Sequence, residues 1–447
     1  MSIIGVVADD FTGTASAGML MAKAGVETGL FFDEEQIRKF PGAEKMQAIY
    51  VSSGSRSMSP EAAYHSVQKA VKTLAGTGAE YFAKKIDTTL RGGIGYEMDA
   101  MLDFLGEETV AVVVTAMPQS RRICVGGYSV IDSVLLTDTP VARDVKTPVN
   151  ECSVPELLKK QTRRKTAWIP IGEVICGTEH LGERLAEERE KGAEVFIVDA
   201  LSLEHIQTIA EACVRLKWSV LSVDPGPFTM KLACCRGIAD ENAPGRKLLE
   251  TEDDAAVLIV SGSANPSAGK QIEVLLKETD SVKVEVSAKR LSAGGEETQA
   301  EIERAVREAG KAVEKEKLPR AVVIGTALGQ EILNLAENDR MYGYQAGTSS
   351  RLINEGLACI TEKLLGQYRN KIAGMMLTGG DTMEAVCRKI GVSCIRSIDN
   401  IVAQVDVGRL LGKYEGMPVV VKGGFCGYDS IVPDIVKRLK CEAVRKE

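Results

Sequence analysis

Short apolar runs alternate with amphipathic stretches along most of the chain. Each run is rich in β-branched residues and is followed by a glycine- or hydroxyl-rich loop, then by apolar residues at helical spacing. This alternation predicts an α/β protein with largely parallel sheets flanked by helices. The candidate strands are 3–8, 48–51, 81–84, 110–115 and 195–199 in the first half, and 257–260, 282–286, 321–324, 375–377 and 418–421 in the second.

Two domains are expected from the length of the chain. It has 447 residues and 45% apolar content, whereas a single hydrophobic core stops growing at roughly 250–300 residues. Residues 236–254 are charged, include Asn-Ala-Pro-Gly and lack apolar periodicity, as is typical of a linker. We therefore expect one domain over residues 1–245 and a second over residues 246–447.

Composition excludes several classes of partner. The 55 basic and 62 acidic residues give a net charge of -7, no basic stripe is present, and aromatic residues are only 5%, so nucleic acid is not expected to bind. The chain shows neither a secretory leader nor an apolar run of membrane-spanning length. Eleven cysteines without any Cys-x-x-Cys pair indicate reduced, buried thiols. We expect a cytoplasmic protein with small-molecule ligands, no membrane partner and no fixed assembly state, a homo-oligomer being possible.

Three candidate strands of the second half end in glycine-rich loops. Ligands of parallel α/β sheets bind beyond the carboxyl ends of the strands, where free N–H groups at helix starts favour phosphate. Together the loops predict a nucleotide site, with Asp381 a possible magnesium ligand. The alternative is that they only cap helices or relieve backbone strain. The residues are Ser261, Gly262 and Ser263, then Gly379, Gly380, Asp381 and Thr382, then Lys422, Gly423 and Gly424.

Two familiar nucleotide motifs are absent. Gly262, Gly269 and Lys270 resemble a P-loop, but six residues separate the glycines and Gln271 follows the lysine, so the spacing is wrong. No strand-loop-helix unit carries Gly-x-Gly-x-x-Gly in frame, which argues against a dinucleotide-dependent dehydrogenase.

The strand ends of the first half carry charged and hydroxyl side chains instead of glycines. Carboxylates can accept hydrogen bonds from hydroxyls, and guanidinium or ammonium groups can bind a substrate carboxylate. Helix capping by an aspartate or threonine is the alternative, and a surface position is equally open for the arginine at 56. The candidate substrate-binding residues are Asp9 and Asp10, Arg56, and the cluster Lys85, Asp87, Thr88 and Arg91.

The catalytic inventory favours phosphoryl transfer. The chain has only three histidines, His65, His180 and His205, all away from these loops. Phosphoryl transfer needs no histidine, because it depends on positioning, electrostatics and a carboxylate that orients the hydroxyl. We expect a kinase that uses ATP and Mg, with Asp10 or Asp87 orienting the attacking hydroxyl. Lys85 and Arg91 would bind the substrate anion.

These motifs resemble the four-carbon acid sugar kinase family, formerly known as a domain of unknown function. The resemblance is carried by Ala-Asp-Asp-Phe-Thr-Gly at 8–13, Ser-Arg at 55–56 and Lys-Lys-Ile-Asp-Thr-Thr-Leu-Arg-Gly at 84–92, then by the three glycine loops in the family's order. It implies a sugar-acid-binding first domain, a nucleotide-binding second domain and an active site in the cleft between them. It also implies ATP-dependent phosphorylation of threonate, erythronate or 3-oxo-tetronate, giving a 4-phosphate.

Two other functions remain open at this stage. One is a nicotinamide-dependent oxidoreductase of sugar acids, which the missing dinucleotide motif disfavours. The other is a non-catalytic protein that binds a sugar acid.

Overall fold

The structure is a computed structural model that describes residues 3–144, 147–247, 249–329 and 332–445. The chain divides into two compact units, Met1–Gly245 and Arg246–Glu447. Between the last helix of the first unit and the first strand of the second, residues 236–247 and 249–255 form neither helix nor strand. The same stretch lacks apolar periodicity, so its irregular path follows from its composition.

The first unit is built on a parallel sheet of eight strands. Its order is β2-β3-β1-β4-β11-β5-β10-β9, and a separate three-stranded antiparallel sheet, β6-β7-β8, precedes β9 in the chain. The strands are β1 (Ile4–Ala8), β2 (Thr28–Phe31), β3 (Ala48–Ser52), β4 (Tyr81–Lys85), β5 (Thr109–Val113), β6 (Arg122–Val125), β7 (Tyr128–Ile131), β8 (Val134–Leu135), β9 (Thr166–Ile169), β10 (Val195–Val198) and β11 (Ser219–Asp224). The helices are α1 (Phe11–Lys23), α2 (Glu34–Lys39), α3 (Pro60–Ala75), α4 (Ile94–Leu105), α5 (Val154–Gln161), α6 (Ile171–Ile175), α7 (Thr178–Glu190), α8 (Leu203–Leu216) and α9 (Pro227–Cys235).

The second unit has a mixed sheet of seven strands in the order β13-β14-β12-β15-β18-β17-β16. The first five are parallel, and β17 and β16 continue the sheet antiparallel. The strands are β12 (Ala256–Ser261), β13 (Val282–Glu285), β14 (Ala321–Gly325), β15 (Ile372–Thr378), β16 (Val392–Val402), β17 (Val405–Gly412) and β18 (Pro418–Lys422). The helices are α10 (Pro266–Glu278), α11 (Ala288–Ala293), α12 (Gly295–Val313), α13 (Leu335–Tyr342), α14 (Thr348–Tyr368), α15 (Gly380–Lys389) and α16 (Ile431–Val444).

Helices cover both faces of the central strands, so those strands are buried on both sides and read as continuous apolar runs. In the first unit β5 packs through Val110 and Val112 with residues of α7 and α8 such as Leu185 and Ile209. In the second, Ile259 of β12 belongs to one core with residues of α10 and α16. The prediction of two α/β domains with largely parallel sheets is confirmed. No helix in the described ranges is long and apolar enough to cross a membrane.

Candidate active site

Three neighbouring strands of the first unit end at one edge of its sheet. Ala8, the last residue of β1, is in register with Ser52 of β3 on one side and with Lys85 of β4 on the other. The segments that follow these strand ends therefore start side by side. Parallel pairing thus brings the candidate residues of three distant segments to one place.

Arg56 joins two of these segments. Its Nε and Nη2 donate to Asp9 Oδ2 and Oδ1 at 2.7 and 3.1 Å, and its Nη1 donates to Asp10 Oδ2 at 2.6 Å. The same guanidinium lies 3.7 Å from Asp87 Oδ1. The surface alternative for Arg56 is wrong, since its side chain is only 17% exposed. Its guanidinium group therefore binds aspartates of the protein itself.

Asp87 is held by Arg91 rather than by a helix start. Arg91 donates to both of its carboxylate oxygens, from Nε at 2.7 Å and from Nη2 at 3.2 Å, and Thr89 also donates to it. The capping alternative is wrong for this loop, because α4 begins after Gly93 without a side-chain cap. Burial alone would raise the pKa of Asp87, but Arg56 and Arg91 outweigh it and lower the pKa. Asp87 is therefore a firmly ionised carboxylate. Thr88 lies half-buried in the same turn.

Asp10 differs from Asp9 and Asp87 in its exposure and in the direction of its pKa shift. Its Oδ1 accepts from Gly13 N at 2.8 Å, so it caps α1, as the capping alternative allowed for one of the two aspartates. Its side chain is 27% exposed, against 3% for Asp9 and 9% for Asp87. Burial, together with the charge of Asp9, raises the pKa of Asp10. For Asp9, Arg56 and the two lysines outweigh burial and lower the pKa. Asp10 is the accessible and more basic carboxylate of the cluster.

The two lysines at the end of β4 have different surroundings. Lys84 is fully buried and pairs with Glu97 of α4 at 2.7 Å. Lys85 is also buried, yet within the described residues its ammonium group forms neither a hydrogen bond nor an ion pair. The group lies close to Gly13, where an added Cβ would stand 2.2 Å from Lys85 Nζ. The ammonium group thus occupies the space that the missing Cβ of Gly13 leaves. A buried ammonium that donates no hydrogen bond is suited to receive a ligand anion.

The glycine-rich loops of the second unit also converge. The strands β12, β15 and β18 are parallel neighbours, with Ser261 in register with Thr378 and Thr378 with Lys422. Gly262 N donates to Thr378 O and Gly379 N donates to Lys422 O, both at 3.3 Å. All ten candidate residues of this unit therefore lie at or just beyond the ends of three adjacent strands, at one sheet edge.

The packing in these loops is too close for side chains at the glycines. A Cβ at Gly262 would stand 2.1 Å from Thr382 Oγ1, and one at Gly424 would stand 2.4 Å from Ser263 Oγ. Gly379 has φ +101°, a conformation that favours glycine. At these positions the loops therefore present backbone groups and no side chains.

The start of α15 offers backbone N–H groups without a side-chain cap. Gly379 is its N-cap residue, and Asn265 caps α10, so the capping alternative is wrong for Ser261, Asp381 and Thr382. Thr382 instead donates to Asn354 at 2.7 Å. Ser261 Oγ and Thr378 Oγ1 are buried without a hydrogen-bond partner in the described part of the chain. Uncapped N–H groups and a glycine turn are the elements of a phosphate site.

The Lys422 side chain contacts the backbone of the loop that follows β18. Its ammonium group donates to Gly423 O at 2.9 Å and lies 3.5 Å from Gly424 O, and burial lowers its pKa to about 8. Asp381 lies in the first turn of α15. Within the described ranges, no group of three or more His, Cys, Asp or Glu side chains is arranged for a metal ion.

A charged cluster in one α/β unit and glycine-rich loops at the sheet edge of the other are the arrangement expected of a kinase that acts on small polar substrates. Family models bear this out: one described as a sugar-binding N-terminal domain matches residues 4–232, and one described as a nucleotide-binding C-terminal domain matches residues 258–432. The chain belongs to the four-carbon acid sugar kinase family, whose members are ATP-dependent enzymes.

Curated relatives span nearly the whole chain. A D-erythronate kinase of Heliobacterium modesticaldum is 32% identical over 431 residues, covering 96% of this chain and 94% of the relative. A D-threonate kinase of Salmonella typhimurium is 26% identical, with 96% of each chain covered. A 3-oxo-tetronate kinase of Methylobacterium radiotolerans is 27% identical, covering 95% of this chain and 96% of the relative.

Solved structures share the fold. A Salmonella typhimurium LT2 protein superimposes with a TM-score of 0.79 at 20% identity, covering 100% of this chain and 99% of that one. A Haemophilus influenzae protein gives a TM-score of 0.72 at 22% identity, covering 98% of both chains.

Sequence reasoning missed three residues that support these sites. Asp144 accepts from Arg91 at 3.3 Å, Glu97 pairs with Lys84, and Asn354 accepts from Thr382. Glu97 and Asn354 lie inside helices, and Asp144 lies in an irregular segment. None follows a predicted strand. A carboxylate at a helix position that faces the core, as Glu97 does, is the one available sequence signal.

Proposed function

We propose that this protein phosphorylates a four-carbon sugar acid with ATP, D-erythronate being the first candidate, and gives the 4-phosphate. The observation that carries the proposal is the uncapped start of α15 between two further glycine loops, because it supplies a phosphate cradle without a dinucleotide motif. The charged cluster of the first unit supplies the complementary acid site. D-erythronate comes first because the D-erythronate kinase relative is 32% identical.

Lys85 is proposed to bind the carboxylate of the sugar acid. Its buried ammonium group lies in the field of Asp9, Asp10 and Asp87 but donates no hydrogen bond within the described residues, so its N–H groups remain available to a bound carboxylate. Arg91 is already engaged by Asp87 and Asp144, and it has further N–H groups for a second contact to the acid. Asp9, Arg56 and Thr88 would complete the pocket by orienting Asp10 and meeting the hydroxyl groups.

Asp10, rather than Asp87, is proposed to orient the attacking hydroxyl and accept its proton. Asp10 is the most exposed of the three aspartates and the one whose pKa is raised. Asp87 is enclosed by Arg91 and its pKa is lowered, so it is a poorer base and is proposed to keep Arg91 and Arg56 in place.

The glycine loops are proposed to bind the phosphates of ATP through backbone N–H groups, with Lys422 adding positive charge beneath them. Asp381 would be the protein ligand of a magnesium ion. Magnesium held by substrate phosphates needs only one or two carboxylates, so a single aspartate at the start of α15 fits it. Bound with ATP, the ion would neutralise charge on the phosphates. Transfer also requires the acid and the γ-phosphate to meet. We therefore propose that the two units close over their ligands and exclude water.

A coupled ADP-release assay with D-erythronate, D-threonate and 3-oxo-tetronate tests the function. We expect ATP-dependent turnover with at least one acid, and loss of turnover in Asp87→Ala while ATP binding survives. Turnover of Asp87→Ala at the wild-type rate would remove Asp87 from the site. Reduction of NAD in place of ADP release would replace the kinase by the oxidoreductase alternative. A thermal shift with an acid but no turnover on any of them would favour a binding protein.

A further inference from the structure

A short loop of the first unit carries three of the proposed acid-binding residues. It spans residues 86–93, between β4 and α4, and forms neither helix nor strand. The three residues are Asp87, Thr88 and Arg91. We call residues 86–93 the acid loop. Recognition of a small acid by these side chains requires the acid loop to keep one conformation.

The backbone of the acid loop is strained. Leu90 has φ +57°, a left-handed conformation that is unfavourable for a bulky side chain, and Gly92 has φ +91°. Inside the loop, Leu90 N donates to Asp87 O at 3.1 Å. A strained conformation persists only where the surrounding structure holds it in place. Contacts at the two ends of the acid loop therefore bear directly on its shape.

A buried ion pair joins these two ends. Lys84 precedes the acid loop on β4, and Glu97 follows it in the first turn of α4. Lys84 Nζ lies 2.7 Å from Glu97 Oε2, and the two side chains are 0% and 2% exposed. The same ammonium group donates to Lys85 O at 2.8 Å. The Lys84 side chain thus contacts both the strand end before the loop and the helix after it.

Stability alone does not account for an ion pair at this position. Burial and the charge of Asp9 raise the pKa of Glu97, against the effect of Lys84, so the charged form is disfavoured there. Apolar residues of similar volume often replace a buried ion pair without loss of stability. Such residues would not reproduce the directed contacts of the ammonium group, because only hydrogen-bonded charges fix a distance and a direction.

We propose that Lys84 and Glu97 are positioning residues for the acid, because their ion pair closes the acid loop at its base and so fixes the acid-binding side chains. This inference rests on the proposed function, since it concerns how the acid is recognised. Both side chains are buried, so they act through the loop and not by touching the acid. An apolar pair could keep α4 packed on β4, but it would leave Lys85 O without its donor and the loop less restrained.

Hydrogen exchange and the ADP-release assay, both on the full chain, test the proposal together. The main variant is the double substitution Lys84→Met with Glu97→Met, which removes both charges at similar side-chain volume. The second variant, Glu97→Gln, keeps an oxygen acceptor of the same shape but removes the negative charge. The matched control replaces both Lys231, a buried lysine of α9, and its partner Glu241 by methionine. Urea unfolding establishes that each variant is folded before it is compared.

The double variant should show two changes. Peptides that cover the acid loop should exchange about tenfold faster than in the wild type without any ligand, because the loop opens more often. KM for the acid should rise by about tenfold or more, since a misplacement of about 1 Å can cost up to roughly 10²-fold, while KM for ATP stays the same. Glu97→Gln should show both changes to a smaller extent, and the control should show neither.

Wild-type exchange and wild-type KM in the folded double variant would overturn the proposal and leave the pair as a packing contact. Either change without the other, or an equal rise in both KM values, would overturn it as well. Should the double variant not fold, Glu97→Gln decides by the same criteria. If the wild type turns over none of the acids, the proposed function fails, whereas the exchange rates need no substrate and still decide whether the ion pair holds the loop.

Discussion

The two candidate binding regions differ in the chemical groups that they present: charged side chains in the first unit and backbone groups of glycine-rich loops in the second. In the first unit, Asp9, Asp10, Asp87, Arg56 and Arg91 form one network of ion pairs, and the pocket is defined by side chains. In the second unit the strand ends carry glycines, and a side chain at Gly262 or Gly424 would collide with a neighbouring hydroxyl group. A small acid with several hydroxyls needs side chains at specific places, whereas phosphates can be recognised largely by backbone N–H groups.

Sequence variation should therefore have different effects in the two regions. A change of side chain in the first unit alters which acid is bound. A change in the second unit acts through the backbone and affects any nucleotide in the same way. The following predictions sharpen this contrast, beginning with the largest effect.

Asp10→Asn should cause the largest loss. Asparagine caps helices as well as aspartate, so α1 should remain stable, but the amide cannot accept the proton of the hydroxyl. We expect kcat to fall by roughly 10²- to 10⁴-fold, the usual contribution of a general base, in the ADP-release assay. Asp33→Asn, which caps α2 in the same way, is the control and should keep its activity. Wild-type kcat in Asp10→Asn would assign the base elsewhere.

Lys85→Met should weaken binding of the acid. A hydrogen bond to a charged group contributes about 1.5–3 kcal/mol, so we expect KM for the acid to rise by roughly 10- to 100-fold with little change in KM for ATP. Lys72→Gln, an exposed position on α3, serves as the control. Unchanged KM for the acid would show that the ammonium group of Lys85 does not contact it.

Gly262→Ala should produce the opposite pattern. The new Cβ would stand 2.1 Å from Thr382 Oγ1, so the loop must shift, at a cost of about 1–3 kcal/mol for overpacking. We expect KM for ATP to rise by roughly 10-fold or more while KM for the acid stays the same. Gly366→Ala in α14 has open space around it and should behave like the wild type. An equal rise in both KM values would argue against separate sites.

The acid side of the pH profile should report on the first unit. Asp10 acts as a carboxylate, and burial raises its pKa, so kcat should fall as the pH drops through a value above the ordinary 3.8. Asp9 and Asp87 have lowered pKa values and remain ionised over this range. A profile of kcat against pH checks this, and Asp10→Asn should lack the limb. The same limb in Asp10→Asn would assign it to another group.

The alkaline side should report, more weakly, on the second unit. Burial lowers the pKa of Lys422 to about 8, so the group is charged below that pH and neutral above it. Loss of the charge should loosen its contacts with the Gly423 and Gly424 carbonyl oxygens and weaken binding of phosphate. We expect KM for ATP to rise by a few-fold above about pH 8, with KM for the acid unaffected. A flat profile would show that Lys422 keeps its proton.

The parallel strands β2, β9 and β11 were missed. The other parallel strands, five in each unit, could be predicted because most of them are buried on both faces and read as apolar runs. Val257 to Val260 and Val110 to Val113 are examples. The strands β16 and β17 were missed, since antiparallel strands alternate in polarity and β16 carries Arg396, Asp399 and Asn400. The short strands β6 to β8 were missed because they are partly exposed and join through tight turns.

The positions of the candidate residues at neighbouring strand ends could be predicted, because these residues follow strands directly in the sequence. Their partnerships could not, since they depend on which loops become neighbours. Arg91 was expected to bind substrate, but its nearest partner is Asp87, four residues before it in the chain. Arg56 was expected to bind a carboxylate, and it does bind carboxylates, but those of Asp9 and Asp10.

The central claim is that the first unit binds the acid and the second binds the nucleotide. Equilibrium binding, measured by calorimetry for each ligand alone, tests this claim most directly. Lys85→Met should lose affinity for D-erythronate, or for whichever acid is turned over, and bind ATP with magnesium as the wild type does. Gly262→Ala should lose affinity for the nucleotide and bind the acid normally. If either variant lost both ligands to the same extent while remaining folded, separate recognition by the two units would be contradicted.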